Sequence, residues 1–346
     1  CFGVVWQSPL GKSNYRGARA HRNTESSCPR FQKLAQKLVE KSNEPVVEYS
    51  PASWFIFYEN KFTGFSQEGW DAEPTSVVIP AEIDGVAITT IEQGAFSGAT
   101  KLTSVSLPHI QRIETDAFLG SNKLSELNLL SITTLEYFSC CDNKIQQIEI
   151  NQNLNLSMIL CNNNEIEKLC CDGLENLTEL CCSENPLVEL NLNNCDSLDY
   201  LSCNNTRLEE INLADAYELK QLDCTNARLE HLDVSNNKQL RTIHCSNNHL
   251  SEMDFQENVC LEEIECESND LIHLKFFNNI HLERLNCKMN HLCKLDLSEV
   301  ASLRFLYVKG NELSEITYHP NTILYQNDLE KQVSISYKDC YSERED

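Results

Sequence analysis

The sequence predicts an elongated β-solenoid, in which one short unit of strand and turn repeats along the chain. The first observation is a strict spacing of 21 residues between eight cysteines. The second is that Leu, Ile and Asn recur around each cysteine in the frame L-x-x-L-x-C-x-x-N-x-L-x-x-L-x-L. A fixed period over consecutive segments means one stacked supersecondary unit per repeat. The cysteines are Cys140, Cys161, Cys182, Cys203, Cys224, Cys245, Cys266 and Cys287.

Each repeat should begin with a short strand. In the repeat around Cys182, Leu180 and Cys182 alternate with other residues, which is the period of a strand with one buried face. Stacked in register, such strands form a parallel sheet, whose faces are either covered or open for binding. We therefore expect a curved solenoid with a parallel sheet on its concave face, short irregular or β segments on its convex side, and N- and C-terminal caps. The other fixed positions of this repeat are Leu177, Asn185, Leu187, Leu190 and Leu192.

We interpret the eight cysteines as a structural ladder of buried free thiols. Parallel rungs lie about 4.8 Å apart, so neighbouring sulfurs point the same way. A disulfide needs Cβ atoms about 3.5 to 4.5 Å apart and a twisted S–S bond, which side chains in register satisfy poorly. Metal ions and iron–sulfur clusters need converging ligands rather than a straight column. The ladder is therefore expected to pack as small hydrophobic side chains, and no cofactor is expected.

An asparagine column lies three residues after the ladder. Its amides can bond the turn backbone of adjacent rungs, which would otherwise be buried without partners. Thr206 and Ala227 interrupt the column in two consecutive repeats, so we expect a looser turn there. The column reads Asn143, Asn164, Asn185, Thr206, Ala227, Asn248, Asn269, Asn290 and Asn311.

These repeats resemble the leucine-rich repeat family over residues 131–318, in nine units of 21 residues. Cysteine in the strand is similar to the cysteine ladder of the internalin J subgroup of bacterial internalins. Upstream, residues 49–130 resemble a β-hairpin cap, over residues 54–65, followed by the repeats of BspA-type bacterial surface antigens. The cysteine that usually completes the BspA-type motif is replaced here by Ala99 and Ser121. The motifs that carry this resemblance are Val77-Val78-Ile79-Pro80, Asp84-Gly85, Ala95-Phe96, Val105-Ser106-Leu107-Pro108 and Ala117-Phe118.

The two ends differ from the repeats in composition. Residues 1–48 form a basic segment, in which Phe31, Leu34 and Leu38 fall at helical spacing and could form one short helix. Residues 319–346 are expected to form a C-terminal cap and an acidic tail, with Val333, Ile335 and Tyr337 closing the core. Cys1 is either a lipid-anchored cysteine or the start of a truncated chain.

Composition excludes several partner classes. The formal net charge is −24, from 28 Lys and Arg against 52 Asp and Glu. An acidic surface offers no counter-charge to nucleic acid or an anionic membrane, so neither is an expected partner. No apolar run approaches the roughly 18 residues needed to span a bilayer, so no transmembrane segment is expected.

The sequence does not point to an enzyme. Ser202, Asp223 and His244 fall on successive rungs, but a catalytic triad needs His between the nucleophile and the acid. Asp223, His244 and Glu265 could together hold a divalent metal, although a linear column gives poor coordination geometry. A solvated stripe of charged side chains is the favoured interpretation of these residues.

Two groups of outward side chains are candidate partner-binding residues. Exposed aromatic clusters are the usual anchors of protein interfaces. Next to the second group we expect two cross-strand pairs, Glu263 with Arg284 and Glu267 with Lys288. The alternative interpretation of the second group is a face that packs under the C-terminal cap. The first group is Tyr137, Met158, Leu160 and Tyr200, and the second is Arg284, Lys288, Phe305, Tyr307 and Lys309.

The family resemblance implies a non-enzymatic, monomeric protein–protein recognition module that binds its partner through the concave sheet. It further implies a bacterial cell-surface or secreted protein, whose partner could be a host protein. Unpaired cysteines suit a reducing compartment better, so delivery into the host cytosol is the alternative location. A glycan-binding adhesin and the targeting portion of a larger enzyme are the alternative functions.

Overall fold

A computed structural model of the protein describes residues 50–329 and 333–338, apart from residues 108, 109, 115, 119–122, 130, 131 and 133. The basic N-terminal segment with its expected short helix lies outside the described residues. Cys1, Cys28, Cys340 and the acidic tail lie outside them as well. Among the described residues, no helix has the length and apolar composition to cross a membrane.

Short strands dominate the described part of the chain. A 3₁₀ helix (Ala52–Trp54) and one α-helix, α1 (Gln67–Asp71), accompany them near the N-terminal end. In chain order the strands are β1 (Phe55–Tyr58), β2 (Lys61–Phe65), β3 (Ser76–Val78), β4 (Glu82–Ile83), β5 (Val86–Ala87), β6 (Thr90–Ile91), β7 (Ser104–Ser106), β8 (Arg112–Ile113), β9 (Glu126–Asn128), β10 (Tyr137–Ser139), β11 (Gln147–Glu149), β12 (Met158–Leu160), β13 (Lys168–Cys170), β14 (Glu179–Cys181), β15 (Glu189–Asn191), β16 (Tyr200–Ser202), β17 (Gln221–Asp223), β18 (Thr242–His244), β19 (Glu252–Asp254), β20 (Glu263–Glu265), β21 (His273–Lys275), β22 (Arg284–Asn286), β23 (Lys294–Leu297), β24 (Phe305–Tyr307), β25 (Glu315–Tyr318), β26 (Gln326–Asn327) and β27 (Ser334–Tyr337).

The main sheet runs the length of the described solenoid. It has 14 strands in the order β1-β2-β6-β8-β10-β12-β14-β16-β17-β18-β20-β22-β24-β26. β1 and β2 form an antiparallel hairpin, and every later pairing in this sheet is parallel. In the ladder repeats the register advances by one repeat, so Leu180 stands opposite Ile159 and Leu201. The predicted β-solenoid with a parallel sheet is confirmed.

A second set of strands covers the other side of the solenoid, which we call the back side. Parallel pairs β3–β7, β9–β11, β13–β15 and β19–β21 and the triple β23–β25–β27 lie there. In the described chain the row is interrupted between β15 and β19. The segments around Ile211 and Leu232 form no strand there, although both side chains are buried. These are the two repeats that carry Thr206 and Ala227.

The asparagine column bonds successive rungs as predicted. Asn164 Nδ2 donates to the carbonyls of Cys140 on the preceding rung and Cys161 on its own rung, at 3.0 and 3.1 Å. Its Oδ1 accepts from the amide of Ile145 at 3.0 Å. The column therefore satisfies buried backbone groups that the turn leaves open. The same three bonds recur, with Val308 in place of the ladder cysteine in the last case, at Asn185, Asn248, Asn269, Asn290 and Asn311.

The expected looser turn at Thr206 and Ala227 is wrong. The preceding residues, Asn205 and Asn226, have φ of 54° and 55°, close to the 54° of Asn163 in an intact rung. Their amides donate to the next rung at 2.9 Å in both cases. Asparagine tolerates the left-handed region, and rung-to-rung backbone bonds hold the turn without the column amide. The irregularity lies on the back side instead.

The eight ladder cysteines follow the main-sheet strands directly and point into the core. All eight are buried free thiols. Burial raises the pKa of every ladder thiol, that of Cys245 to about 12. Their backbone continues the stacking, since the Cys203 amide donates to the Asp223 carbonyl at 2.8 Å. The ladder is thus a packing column of protonated thiols.

A second asparagine ladder was not predicted. Asn153, Asn237, Asn258 and Asn279 lie eight residues before the ladder cysteine and are fully buried. Asn258 Nδ2 donates to the carbonyls of Val234 and Asn237 on the preceding rung, at 2.8 and 3.0 Å. These bonds fix the turn that returns from the back side to the main sheet.

Both ends of the core are covered by structure of a different kind. At the N-terminal end, the β1–β2 hairpin pairs with β6, and Phe62 packs on Phe96 with ring centres 4.9 Å apart. At the C-terminal end, β27 adds to β25, and Val333 packs against the core. Ile335 and Tyr337 of β27 are 50% and 59% exposed, so the predicted closing role falls mainly to Val333.

Candidate recognition surface

The outward side chains of the main sheet form what we call the front face. In each ladder repeat the middle strand residue is buried, and its two neighbours point outward. The outward columns therefore run in register along the sheet. One contains Met158, Glu179, Tyr200, Arg284 and Phe305, and the other contains Leu160, Cys181, Asp223, His244 and Tyr307.

All four residues of the first predicted group lie on the front face, but one of them is covered. Met158, Leu160 and Tyr200 are half-buried, and burial raises the pKa of the Tyr200 hydroxyl. Tyr137 is only 9% exposed, because the Arg112 guanidinium lies over its ring at 4.1 Å. The interpretation of Tyr137 as an exposed anchor is corrected accordingly. Arg112 belongs to the rung before the ladder repeats, which is why the repeat pattern gave no signal for it.

The middle of the front face is polar. Asp223 accepts from Asn204 Nδ2 at 2.6 Å, and Glu265 accepts from Asn286 Nδ2 at 2.6 Å. Each carboxylate is therefore held by an amide from a neighbouring rung, while His244 lies between them. Within the part of the chain that the structure describes, no group of three or more His, Cys, Asp or Glu side chains could hold a metal ion.

The hydroxyl of Ser202, the nucleophile of the rejected triad, is hydrogen-bonded to another serine. Ser202 Oγ shares a hydrogen bond of 2.8 Å with Ser183 Oγ. His244 stands opposite Asp223 and not opposite Ser202. A general base must reach the proton that it abstracts, so this arrangement does not activate Ser202.

The second predicted group is joined by cation–π contacts. The Arg284 guanidinium lies 4.7 Å from the Phe305 ring centre, and Lys288 Nζ lies 5.1 Å from that of Tyr307. The structure adds Arg304, which lies 5.7 Å from the ring centre of Tyr325. We call these residues with Lys309 the C-terminal patch: Arg284, Lys288, Arg304, Phe305, Tyr307, Lys309 and Tyr325.

Of the two expected cross-strand pairs, one forms. Arg284 Nε lies 3.4 Å from Glu263 Oε1. Glu267 accepts instead from Asn286 Nδ2 at 2.9 Å, and Lys288 turns to Tyr307. The expected Glu267–Lys288 pair is therefore wrong, because an amide and a ring offer both side chains nearer partners.

The C-terminal patch is open to solvent in the described structure. Tyr325 is 72% exposed and meets Phe305 edge-on with ring centres 6.2 Å apart. The cap strand β27 lies on the back side, away from the patch. Tyr325 follows Arg304 by 21 residues, so the repeat spacing was the signal that could have identified it.

Comparison with known proteins agrees with the fold. No protein-family model matches the sequence, and no curated protein matches it either. Among solved structures, the functional domain of InlJ from Listeria monocytogenes, which includes a cysteine ladder, is similar with a TM-score of 0.51. The sequence identity is 26%, and the match covers 59% of this chain and 53% of that chain. The chain therefore has the fold of leucine-rich repeat proteins.

Two further solved structures are similar to the chain. The LRIM1/APL1C complex matches with a TM-score of 0.51 and 21% identity, over 76% of this chain and 49% of that chain. YopM, a leucine-rich effector protein from Yersinia pestis, matches with a TM-score of 0.48 and 16% identity, over 89% and 99%. The chain thus spans about half the length of the InlJ and LRIM1/APL1C chains. The BspA-type resemblance of residues 49–130 stays a prediction.

Proposed function

We propose that this leucine-rich repeat chain is a non-enzymatic module that recognises another protein through its front face. The observation that carries the proposal is the distribution of outward side chains along one sheet. Apolar and aromatic side chains are concentrated around Tyr200, cationic and aromatic ones around Phe305, and amide-held carboxylates lie between them. Aromatic and arginine side chains are the residues most often found at the energetic centres of protein interfaces.

The spacing of the two groups suits a single partner. Five rungs separate Tyr200 from Phe305, which corresponds to about 24 Å at about 4.8 Å per rung. An interface of ordinary size buries about 800 Å² on each protein and spans such a distance. One folded partner could therefore contact both groups at once.

The cysteine ladder that the chain shares with InlJ supports a bacterial protein that acts at the cell surface or after secretion. Cys293 is exposed and Cys141 and Cys260 are half-buried, all as free thiols. Accessible thiols favour a reducing environment. Delivery into a host cytosol is therefore the alternative location that we propose.

The experiment is a selection of binders from a displayed protein library, followed by affinity measurements with purified variants. Tyr200→Ala and Tyr307→Ala should each weaken binding at least tenfold without changing the melting temperature. Tyr217→Ala is the matched control, because Tyr217 is a 50% exposed tyrosine that lies outside the front-face columns. If the control loses as much affinity as the front-face variants, the proposed surface is wrong.

A further inference from the structure

The C-terminal patch contains cations that lack carboxylate partners. Among the described residues, no carboxylate lies within ion-pair distance of Lys288, Arg304 or Lys309, whereas Arg284 is paired with Glu263. The nearby carboxylate of Asp328 instead accepts from the backbone amides of Val308 and Lys309, at 2.6 and 3.2 Å. On a chain with a net charge of −24, such a site is a local exception.

The acidic side chains next to the patch are also engaged. Glu265 and Glu267 both accept from the two hydrogens of Asn286 Nδ2. The amide thereby holds both carboxylates beside Asn286, the residue between Arg284 and Lys288. Among the described residues, the ammonium groups of Lys288 and Lys309 therefore keep their hydrogen-bond donors for a ligand, while Arg304 spends one donor, Nη1, on the Leu303 carbonyl at 3.1 Å.

Each aromatic ring of the patch contacts a cation, and Tyr325, which is 72% exposed, also leaves ring surface open to solvent. Phe305 lies between the Arg284 guanidinium and the edge of Tyr325, and the faces of Tyr307 and Tyr325 carry Lys288 and Arg304. A cation held by a ring is pre-organised, and its outward N–H groups can bind carboxylates, those of an arginine in a fixed fork geometry.

We infer that the C-terminal patch binds an acidic peptide segment of the partner protein, one that carries several closely spaced Asp or Glu side chains. The inference rests on the proposed function and names the chemistry of one half of the interface. Nucleic acid and anionic membranes fit poorly, because both would also meet the acidic remainder of the surface. A short peptide can contact the patch alone.

The test measures fluorescence anisotropy of a labelled peptide with six Glu residues interspersed with Gly and Ser, against the full chain. A peptide with Gln in place of every Glu is the neutral control. The acidic peptide should bind at 50 mM salt at least tenfold more tightly than the neutral one, and an increase to 300 mM salt should weaken it markedly.

Variants locate the site. Lys288→Gln combined with Lys309→Gln should weaken acidic-peptide binding at least tenfold. The matched control is Lys275→Gln combined with Lys294→Gln, which removes the same charge from exposed back-side strands. An equal loss in the control would overturn the inference, since it would show a response to net charge alone.

Three other outcomes overturn it as well. These are equal binding of the neutral peptide, tenfold tighter binding of a sulfated heparin oligosaccharide, and binding that appears only after deletion of residues 339–346, which would make the chain's own acidic end the occupant. The acidic-peptide assignment and the proposed recognition function can be tested separately. A selected protein partner that depends on Tyr200 but not on Lys288 and Lys309 would retain the recognition role and remove only the acidic-peptide assignment.

Discussion

The Arg284 guanidinium lies 4.7 Å above the ring of Phe305, the residue directly opposite it on the next rung of the main sheet. The same guanidinium pairs with Glu263 on the preceding rung. One side chain thus links three rungs at the surface. The contact is local enough to be measured by itself.

The Arg284–Phe305 contact should contribute a measurable coupling energy. A double-mutant cycle with Arg284→Met and Phe305→Leu should give a coupling of about 0.5 to 1 kcal/mol in the free energy of unfolding by urea. The cycle removes the separate loss of the Glu263 pair, because that loss occurs with either residue at position 305. A parallel cycle of Arg284→Met with Tyr217→Leu should be additive. Additivity in both cycles would show that the Arg284–Phe305 contact contributes nothing to the free energy of unfolding.

The interrupted asparagine column should be repairable. Ala227→Asn would place an amide where it can donate to the carbonyls of Cys203 and Cys224, as Asn248 does one rung later with Cys224 and Cys245. We expect a gain of about 1 kcal/mol in the free energy of unfolding. Asn248→Ala should cost about 2 to 3 kcal/mol, because it leaves buried backbone groups without partners.

Asn236→Ala is the matched control for these variants. Asn236 is exposed and makes one hydrogen bond, to the Ala214 carbonyl at 3.2 Å. Its replacement should change stability by less than about 0.5 kcal/mol. A loss of stability in Ala227→Asn would mean that the back-side irregularity of these repeats excludes the amide.

Glu149 should make stability depend on pH. Its carboxyl group is buried on β11, its Oε1 has no hydrogen-bond partner among the described residues, and burial raises its pKa to about 7 from an ordinary value of 4.5. The neutral form is favoured in the folded state, so the penalty is absent below about pH 4.5. It grows as pH rises from about 4.5 to about 7 and stays constant above that.

Glu149→Gln should therefore stabilise the protein by about 1 to 3 kcal/mol at pH 8 and by little at pH 4, measured by urea unfolding at both values. The control is Glu167→Gln, at an exposed position near the next back-side strand. Equal effects of the two variants at both pH values would contradict the assignment.

The ladder thiols should resist alkylation in the folded protein. Their raised pKa values keep them protonated at pH 8, and burial denies access to the reagent. Mass spectrometry after iodoacetamide treatment should find Cys293 modified rapidly and the eight ladder cysteines protected by at least a hundredfold. Denaturant should abolish the difference. Fast native-state modification of Cys203 or Cys224, beside the irregular back side, would indicate local opening of that region.

The sequence period was sufficient to predict the fold because each of the eight ladder repeats keeps the same spacing of buried apolar residues and Cys, even where the asparagine column is interrupted. The second asparagine ladder escaped prediction, since Leu174, Cys195 and Ala216 occupy its column in the repeats between Asn153 and Asn237. The position tolerates both kinds of residue. Cys195, for example, donates from its Sγ to the Cys171 carbonyl at 3.2 Å in place of an amide.

The candidate site was predictable only in part. Outward positions follow from counting along each strand, and so Tyr200, Phe305 and Tyr307 were identified. Which outward side chain is covered by a neighbour depends on rotamers and on residues outside the repeat frame. Arg112 over Tyr137 and the turn of Lys288 toward Tyr307 are contacts of that kind.

The constant register also bears on how fast the chain folds. Leu180 pairs with Leu201, and the turn amides bond carbonyls 24 residues away at most, so the inter-rung contacts of a ladder repeat join residues close in sequence. A separation of 21 residues in a chain of 346 gives a relative contact order of about 0.06. Most all-β proteins must close much longer loops before their strands pair. We therefore expect this chain to fold at a rate closer to that of a helical bundle than to that of most all-β proteins. Folding can nucleate in any repeat and spread to its neighbours.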